Sequence, residues 1–123
     1  MALRDPSSSG SFEAASDYQV IAASSTNITF QGGNGTKGGA VGDYIRNMQI
    51  IPATTSPGAV TITDGNGSAI TVFTGGATSV QGLAPIWIEL CLKARNPAPG
   101  GGTAGWKITT GANVSVIVCG DAQ

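Results

Sequence analysis

Apolar and polar residues alternate along this chain in short runs separated by turn-forming clusters. The clearest run is Ala59 to Phe73, AVTITDGNGSAITVF. In its first arm Val60 and Ile62 share one face and Thr61 and Thr63 the other; in its second, Ile70 and Val72 share one face and Thr71 and Phe73 the other. A period of two is that of a strand with unlike faces. Between the arms lies Asp64-Gly65-Asn66-Gly67. Gly65 and Gly67 are free to take the positive φ that tight hairpin turns demand, and Asp64 and Asn66 tolerate it. The spacing predicts a β-hairpin whose tip, Asp64–Gly67, projects as a surface loop.

The same pattern recurs on both sides. Tyr18 to Phe30 reads as one interrupted strand or two short ones around Ala22–Thr26. Gln31 to Gly42 is a glycine-rich loop that fits neither nucleotide-binding spacing, so its glycines are read as turn formers. In Asp43–Pro52, strict alternation sets Tyr44, Arg46, Met48 and Ile50 against Ile45, Asn47, Gln49 and Ile51. Ile86–Leu92 is the most apolar run, with Ile86, Ile88, Leu90 and Leu92 as a core row and Trp87, Glu89 and Cys91 opposite. Trp87 is expected to cover a sheet face or a subunit contact, because a large ring with one N–H suits a half-wet site. Lys93–Gly105 is an irregular loop and the longest candidate for surface function. Trp106–Thr110 and Asn113–Cys119 read as a second hairpin through Gly111-Ala112, with Val114, Val116 and Val118 as a core row.

Composition supports the all-β reading. Glycine and proline, 19 and 6 of 123 residues, punctuate a chain otherwise rich in Val, Ile and Thr, which pack well on pleated surfaces. About seven or eight short strands with regular turn signals predict an antiparallel β-sandwich spanning residues 17–123. Residues 1–16, MALRDPSSSGSFEAAS, carry no periodicity and read as an extended or flexible arm, with Leu3, Arg4 and Phe12 as its adhesive residues.

Charge and chemistry narrow the function. Seven acids and six bases leave a formal net charge of -1 and no basic footprint, so nucleic acid is not an expected partner. Only 11% of residues are charged, well below the ~25% usual for soluble domains, which fits either a polar Ser/Thr/Asn surface that needs no charge or, the reading favoured, surface covered by neighbouring subunits. No apolar run reaches the ~20 residues of a membrane helix, so no membrane is expected. The N-terminal residues lack the apolar core of a secretory signal, and synthesis in a reducing cytoplasm is the expectation. Cys91 and Cys119 then read as two free thiols. The chain has no histidine, which removes Ser-His and Cys-His nucleophile pairs and leaves no zinc ligand set. The Asp64–Gly67 turn lacks the further carboxylates of a calcium loop. The acids lie mostly at turns and strand ends, where Asp makes local hydrogen bonds; Glu89, mid-strand, reads as an exposed or interface residue. No catalytic group, cofactor or metal is expected.

From Gly42 onward the chain resembles a known family. The residues that carry the likeness are GDYIRNMQIIPATTSPGAVTITDGNGSAITVFTGGATSV, then PIWIELCLKAR, then GWKITTGANVSVIVCG. They resemble small structural proteins from the virion gene clusters of tailed bacteriophages, in particular capsid decoration, or cement, proteins. In such relatives the pattern recurs as a G-D-Y/L opening, a P-A-T-T-S-P-G-A-V loop, a D-G-x-G-S hairpin and a closing W-K-[IV]-T-T-G-A-N-V-S-V-I. The likeness covers about two thirds of the chain; residues 1–41 lie outside it, and the cysteines and the Asn96–Gly105 loop depart from it. It implies a jelly-roll-like sandwich on the outer surface of the virion capsid, assembled in the host cytoplasm and bridging neighbouring major capsid proteins. It also implies a homo-oligomer, a trimer before a dimer. On that reading Leu3, Arg4 and Phe12 contact the capsid, and Trp87 and Glu89 contact a neighbouring subunit. The alternative is a receptor- or glycan-binding module of a head or tail fibre, with an aromatic such as Trp106 as its platform.

Overall fold

Strands with one apolar row each must stack those rows face to face, and this chain does so with two sheets. The computed structural model describes residues 17–33 and 35–123; Leu3, Arg4 and Phe12 lie outside the described residues. The strands are β1 (Asp17–Ile21), β2 (Ile28–Thr29), β3 (Tyr44–Pro52), β4 (Val60–Asp64), β5 (Ile70–Phe73), β6 (Ile86–Lys93), β7 (Trp106–Thr110) and β8 (Val114–Asp121). One sheet has the order β1-β8-β3-β6 and the other β2-β7-β4-β5. Every ladder is antiparallel. The pairs β4–β5, β3–β6, β2–β7 and β1–β8 nest around one another. This is the strand order of an eight-stranded jelly roll.

The hairpin predicted at Ala59–Phe73 is β4–β5, and it sits at the centre of that nesting. Among the described strands it is the one sequence-adjacent pair that shares a sheet. The second predicted hairpin does not form. β7 pairs with β2 and β4, whereas β8 pairs with β1 and β3, so Gly111–Asn113 is a corner between sheets. That corner is pinned to the start of β4. Gly58 N–H donates to the Ala112 carbonyl and Gly111 N–H to the Ala59 carbonyl, both at 2.8 Å. The two backbones approach so closely that a Cβ on Gly111 would stand 2.8 Å from Gly58 Cα.

The core lies between β8 and β3 on one side and β7 and β4 on the other. Val114, Val116 and Val118 meet Ile45, Met48, Ile50, Val60, Ile62 and Ile108, all fully or almost fully buried, with Phe30 and Ile21 closing the layer. Burying each such side chain stabilises by about 1.5–3 kcal/mol before the entropy of ordering is set against it.

Two bulges correct the predicted face assignments. Alternation placed Ile45 opposite Met48 and Ile50, yet all three are buried together. Arg46 is an extra residue on β3: Ile45 faces Gly120 and Asn47 faces Cys119, the very next residue back along β8. One extra residue switches which side the rest of a strand presents. On β5, Val72 is the extra residue, which sets Phe73 opposite Val60 and Ile70 opposite Ile62. The predicted core row of β6 is only half-buried, because β6 is an edge strand with one neighbour.

Candidate functional site

The two outer faces of the sandwich differ in chemistry. On the β2-β7-β4-β5 sheet the outward rows are Thr61, Thr71 and Thr109, then Thr29, Lys107 and Thr63. Hydroxyls hydrate well, and this face has the character of ordinary solvated surface. On the β1-β8-β3-β6 sheet the register aligns Val20, Ile117, Gln49 and Trp87 in one row and Tyr18, Cys119, Asn47 and Glu89 in the next. Tyr18 and Val20 are both 61% exposed and Trp87 58%. Tyr18 and Val20 lie at one edge of this face and Trp87 at the other, with Ile117 and Gln49 between them.

The sequence-predicted contact pair lies on this face. The indole N–H of Trp87 donates to Glu89 Oε1 at 3.2 Å, and the thiol of Cys91 donates to Glu89 Oε2 at 3.3 Å. Glu89 therefore ties its two neighbours on the strand into one exposed network. Tyr44 joins it: its phenol is pushed above the ordinary value chiefly by a hydrogen bond with the Cys91 thiol. At the middle of the face Asn47 is buried, and its Oδ1 has no hydrogen-bond donor among the described residues. Sequence alternation put Asn47 on the face of Gln49, where it lies, but gave no sign of its burial, since the flanking strands β8 and β6 are remote in sequence.

The cysteines are free, and the sheet order explains why they stay apart. β8 and β6 are separated by β3, two interstrand spacings or about 9–10 Å, beyond the ~7 Å Cα limit for a disulfide. Cys119 lies half-buried, and burial pushes its thiol above the ordinary value, an effect Arg46 partly offsets.

The predicted projecting tip at Asp64–Gly67 is instead folded against the 93–105 loop. Asp64 and Gly65 are buried. The Asp64 carboxylate accepts from the backbone N–H of Arg95 at 2.9 Å and of Asn96 at 3.2 Å. Gly65 takes the positive φ (54°), whereas Gly67 is not a positive-φ residue; Gly67 matters for space, since a Cβ there would lie 2.6 Å from Asn96 Nδ2. Asp43 plays a similar part, accepting from Gln123 N–H at 2.8 Å and Ala40 N–H at 3.2 Å. Asp43 thus makes the expected local turn bond, to Ala40, and also holds the distant Gln123; the Asp64 carboxylate holds a segment more than thirty residues away.

A cleft of about 480 Å³ lies beside the Asp64 turn, with Ile70, Leu92, Lys93 and Arg95 among its lining residues. Trp106 reaches it only from below: it is 3% exposed and its indole N–H donates to the Leu92 carbonyl at 3.2 Å. The platform role considered for Trp106 therefore gives way to a core role. Among the described residues no group of three metal-binding side chains converges. No protein-family model, curated protein or solved structure matches the chain.

Proposed function

We propose that this chain is a structural virion protein that decorates a phage capsid and stabilises it by bridging neighbouring major capsid proteins. The observation that carries the reading is the sidedness of the sandwich. One sheet turns a threonine face outward, and the other turns out Tyr18, Val20, Ile117 and Trp87. That arrangement suits a protein that lies between a shell and solvent or between copies of itself. The jelly-roll strand order is one that viral capsid domains share with lectins and other proteins. Further support comes from the likeness of residues 42 onward to decoration proteins.

On this reading many small contacts over the particle add up by multivalency. The residues proposed to grip the capsid are Leu3, Arg4 and Phe12, in the segment that joins the sandwich at Asp17. The role is structural, with no reaction assigned. The glycan-binding alternative finds less support, because Trp106 is buried.

The test is co-sedimentation of the purified chain with phage heads that lack it. Saturable binding at hundreds of copies per head, with higher resistance of the heads to heat, is the expected result. Binding at a few copies, or none, overturns the reading. Deleting residues 1–16 should reduce occupancy; unchanged occupancy would remove the arm from the proposal.

A further inference from the structure

An edge strand presents unpaired backbone donors and acceptors, and soluble proteins usually shield them. The four edges here are β1, β6, β2 and β5. β2 has two residues and β5 four. β1 is shielded: Gly33 packs against the Tyr18 carbonyl, and the Gln19 side chain donates to Thr29 O at 3.3 Å and accepts from Gln31 N–H at 2.7 Å. β6 differs on every count. It has eight residues and no proline. Among the described residues no strand pairs with its outer side. Its mid-strand charge, Glu89, is engaged by Trp87 and Cys91 and gives weak protection. Cys91 takes φ 52°, which ends the regular edge and leaves Ile86–Leu90 as the straight stretch.

We propose that β6 is a homotypic pairing edge: two copies of this chain join antiparallel through Ile86–Leu90, so that two four-stranded sheets become one of eight. This rests on the reading of the chain as a self-associating virion protein and gives that association a surface and a two-fold axis.

Three features favour a second copy over other strands. First, the sandwich is open on this side. Ile86, Ile88 and Leu90 are half-buried, and across the gap β5 leaves Ile70 47% exposed; Ile70 and Leu92 wall the same cleft. Two such apolar seams brought together cover each other. Second, the register is self-complementary. Centring the pair on Ile88 sets Ile86 against Leu90 of the partner and Trp87 against Glu89 of the partner, with every side chain kept on its own face. Third, the neighbouring even registers are worse. Centring on Glu89 sets two carboxylates directly opposite, which is destabilising, and centring on Trp87 brings Pro85 into the ladder, where it has no N–H to donate.

The test uses the full chain in a C91S/C119S background. Trp87→Cys and Glu89→Cys are made separately and oxidised alone and mixed. The proposed register predicts a disulfide-linked dimer from the mixture and none from either variant alone. Sedimentation of the unaltered chain should show a concentration-dependent dimer, and Trp87→Lys, at an exposed site, should weaken it at least about tenfold. Hydrogen exchange should show alternate amides of 86–90 protected only at dimer-forming concentration. Three results overturn the proposal: a monomer at all concentrations, an oligomer whose outward β6 amides stay unprotected, or protection of those outward amides in the monomer that is lost when residues 1–16 are deleted. None of these bears on binding to heads, so the pairing can fail while the capsid reading stands.

Discussion

Asp64 and Asn96 hold each other at both backbone and side chain. The Asp64 carboxylate accepts the Asn96 N–H at 3.2 Å, and the Asn96 side-chain amide donates to the Asp64 carbonyl at 3.1 Å. The link fastens the β4–β5 turn to the loop after β6, across 32 residues of chain. Because the carboxylate is buried, removing it strands two backbone donors. Asp64→Ala should cost about 1–3 kcal/mol, read as a lower urea midpoint. Asn96→Ala should cost less, since the Asn96 N–H remains available to Asp64.

Gly120 lies where β8 crosses β3. A Cβ there would collide with the Tyr44 carbonyl oxygen, a backbone group of the paired strand that cannot turn aside. Gly120→Ala should destabilise by about 2–3 kcal/mol, measured by thermal unfolding. Gly100→Ala, where a Cβ meets nothing within 4 Å, should leave stability nearly unchanged.

The two tryptophans should behave oppositely. Trp106→Ala removes a buried ring and its bond to Leu92 and should cost about 3–5 kcal/mol. Trp87→Ala, on an exposed ring, should cost under about 1 kcal/mol in the monomer. Acrylamide should quench Trp87 fluorescence in each remaining single-tryptophan protein far more than Trp106 fluorescence.

The thiols should separate by rate. Cys91 is exposed and Cys119 half-buried with its thiol pushed up by burial. A thiol reagent near neutral pH should label Cys91 first, and Cys91→Ser should remove the fast phase. Mild oxidation should yield no disulfide within one chain.

Alkaline pH should weaken the fold. Cys119 and Tyr44 both hold their protons more tightly in the folded state. Their contribution is complete below the unfolded thiol value of about 8.5 and is lost as pH rises through the folded values. Cys119→Ser should flatten the decline in urea midpoint on the alkaline side; an identical decline in both proteins would remove Cys119 from that effect.

The alternation of Val60, Ile62 and the Val114–Val118 row, with glycine-rich punctuation, determined an all-β sandwich, because a period of two puts one apolar row on each strand whatever its partner. It determined β4–β5 as well, since a hairpin is closed by its own turn. The glycines of 31–42 were also legible as turn formers: Gly32, Gly33, Gly38, Gly39 and Gly42 all take positive φ. Trp87 was legible as a surface residue from its place opposite the aliphatic row. Partner choice was not legible elsewhere. β7 and β8 read as a hairpin, yet they belong to different sheets, because a three-residue link serves a corner as well as a turn and the choice is made by strands far off in sequence. The bulge at Arg46 hid the burial of Ile45 beside Met48 in the same way, since an extra residue is defined only against the strand beside it. Trp106 and Trp87 occupy similar alternating contexts; the sheet order alone decided that one lies in the core and the other on the face beside an open edge. The hairpin at Ala59–Phe73 kept its strands but lost its projecting tip, because Asp64 found its hydrogen-bond partners in a loop that no local pattern connects to it.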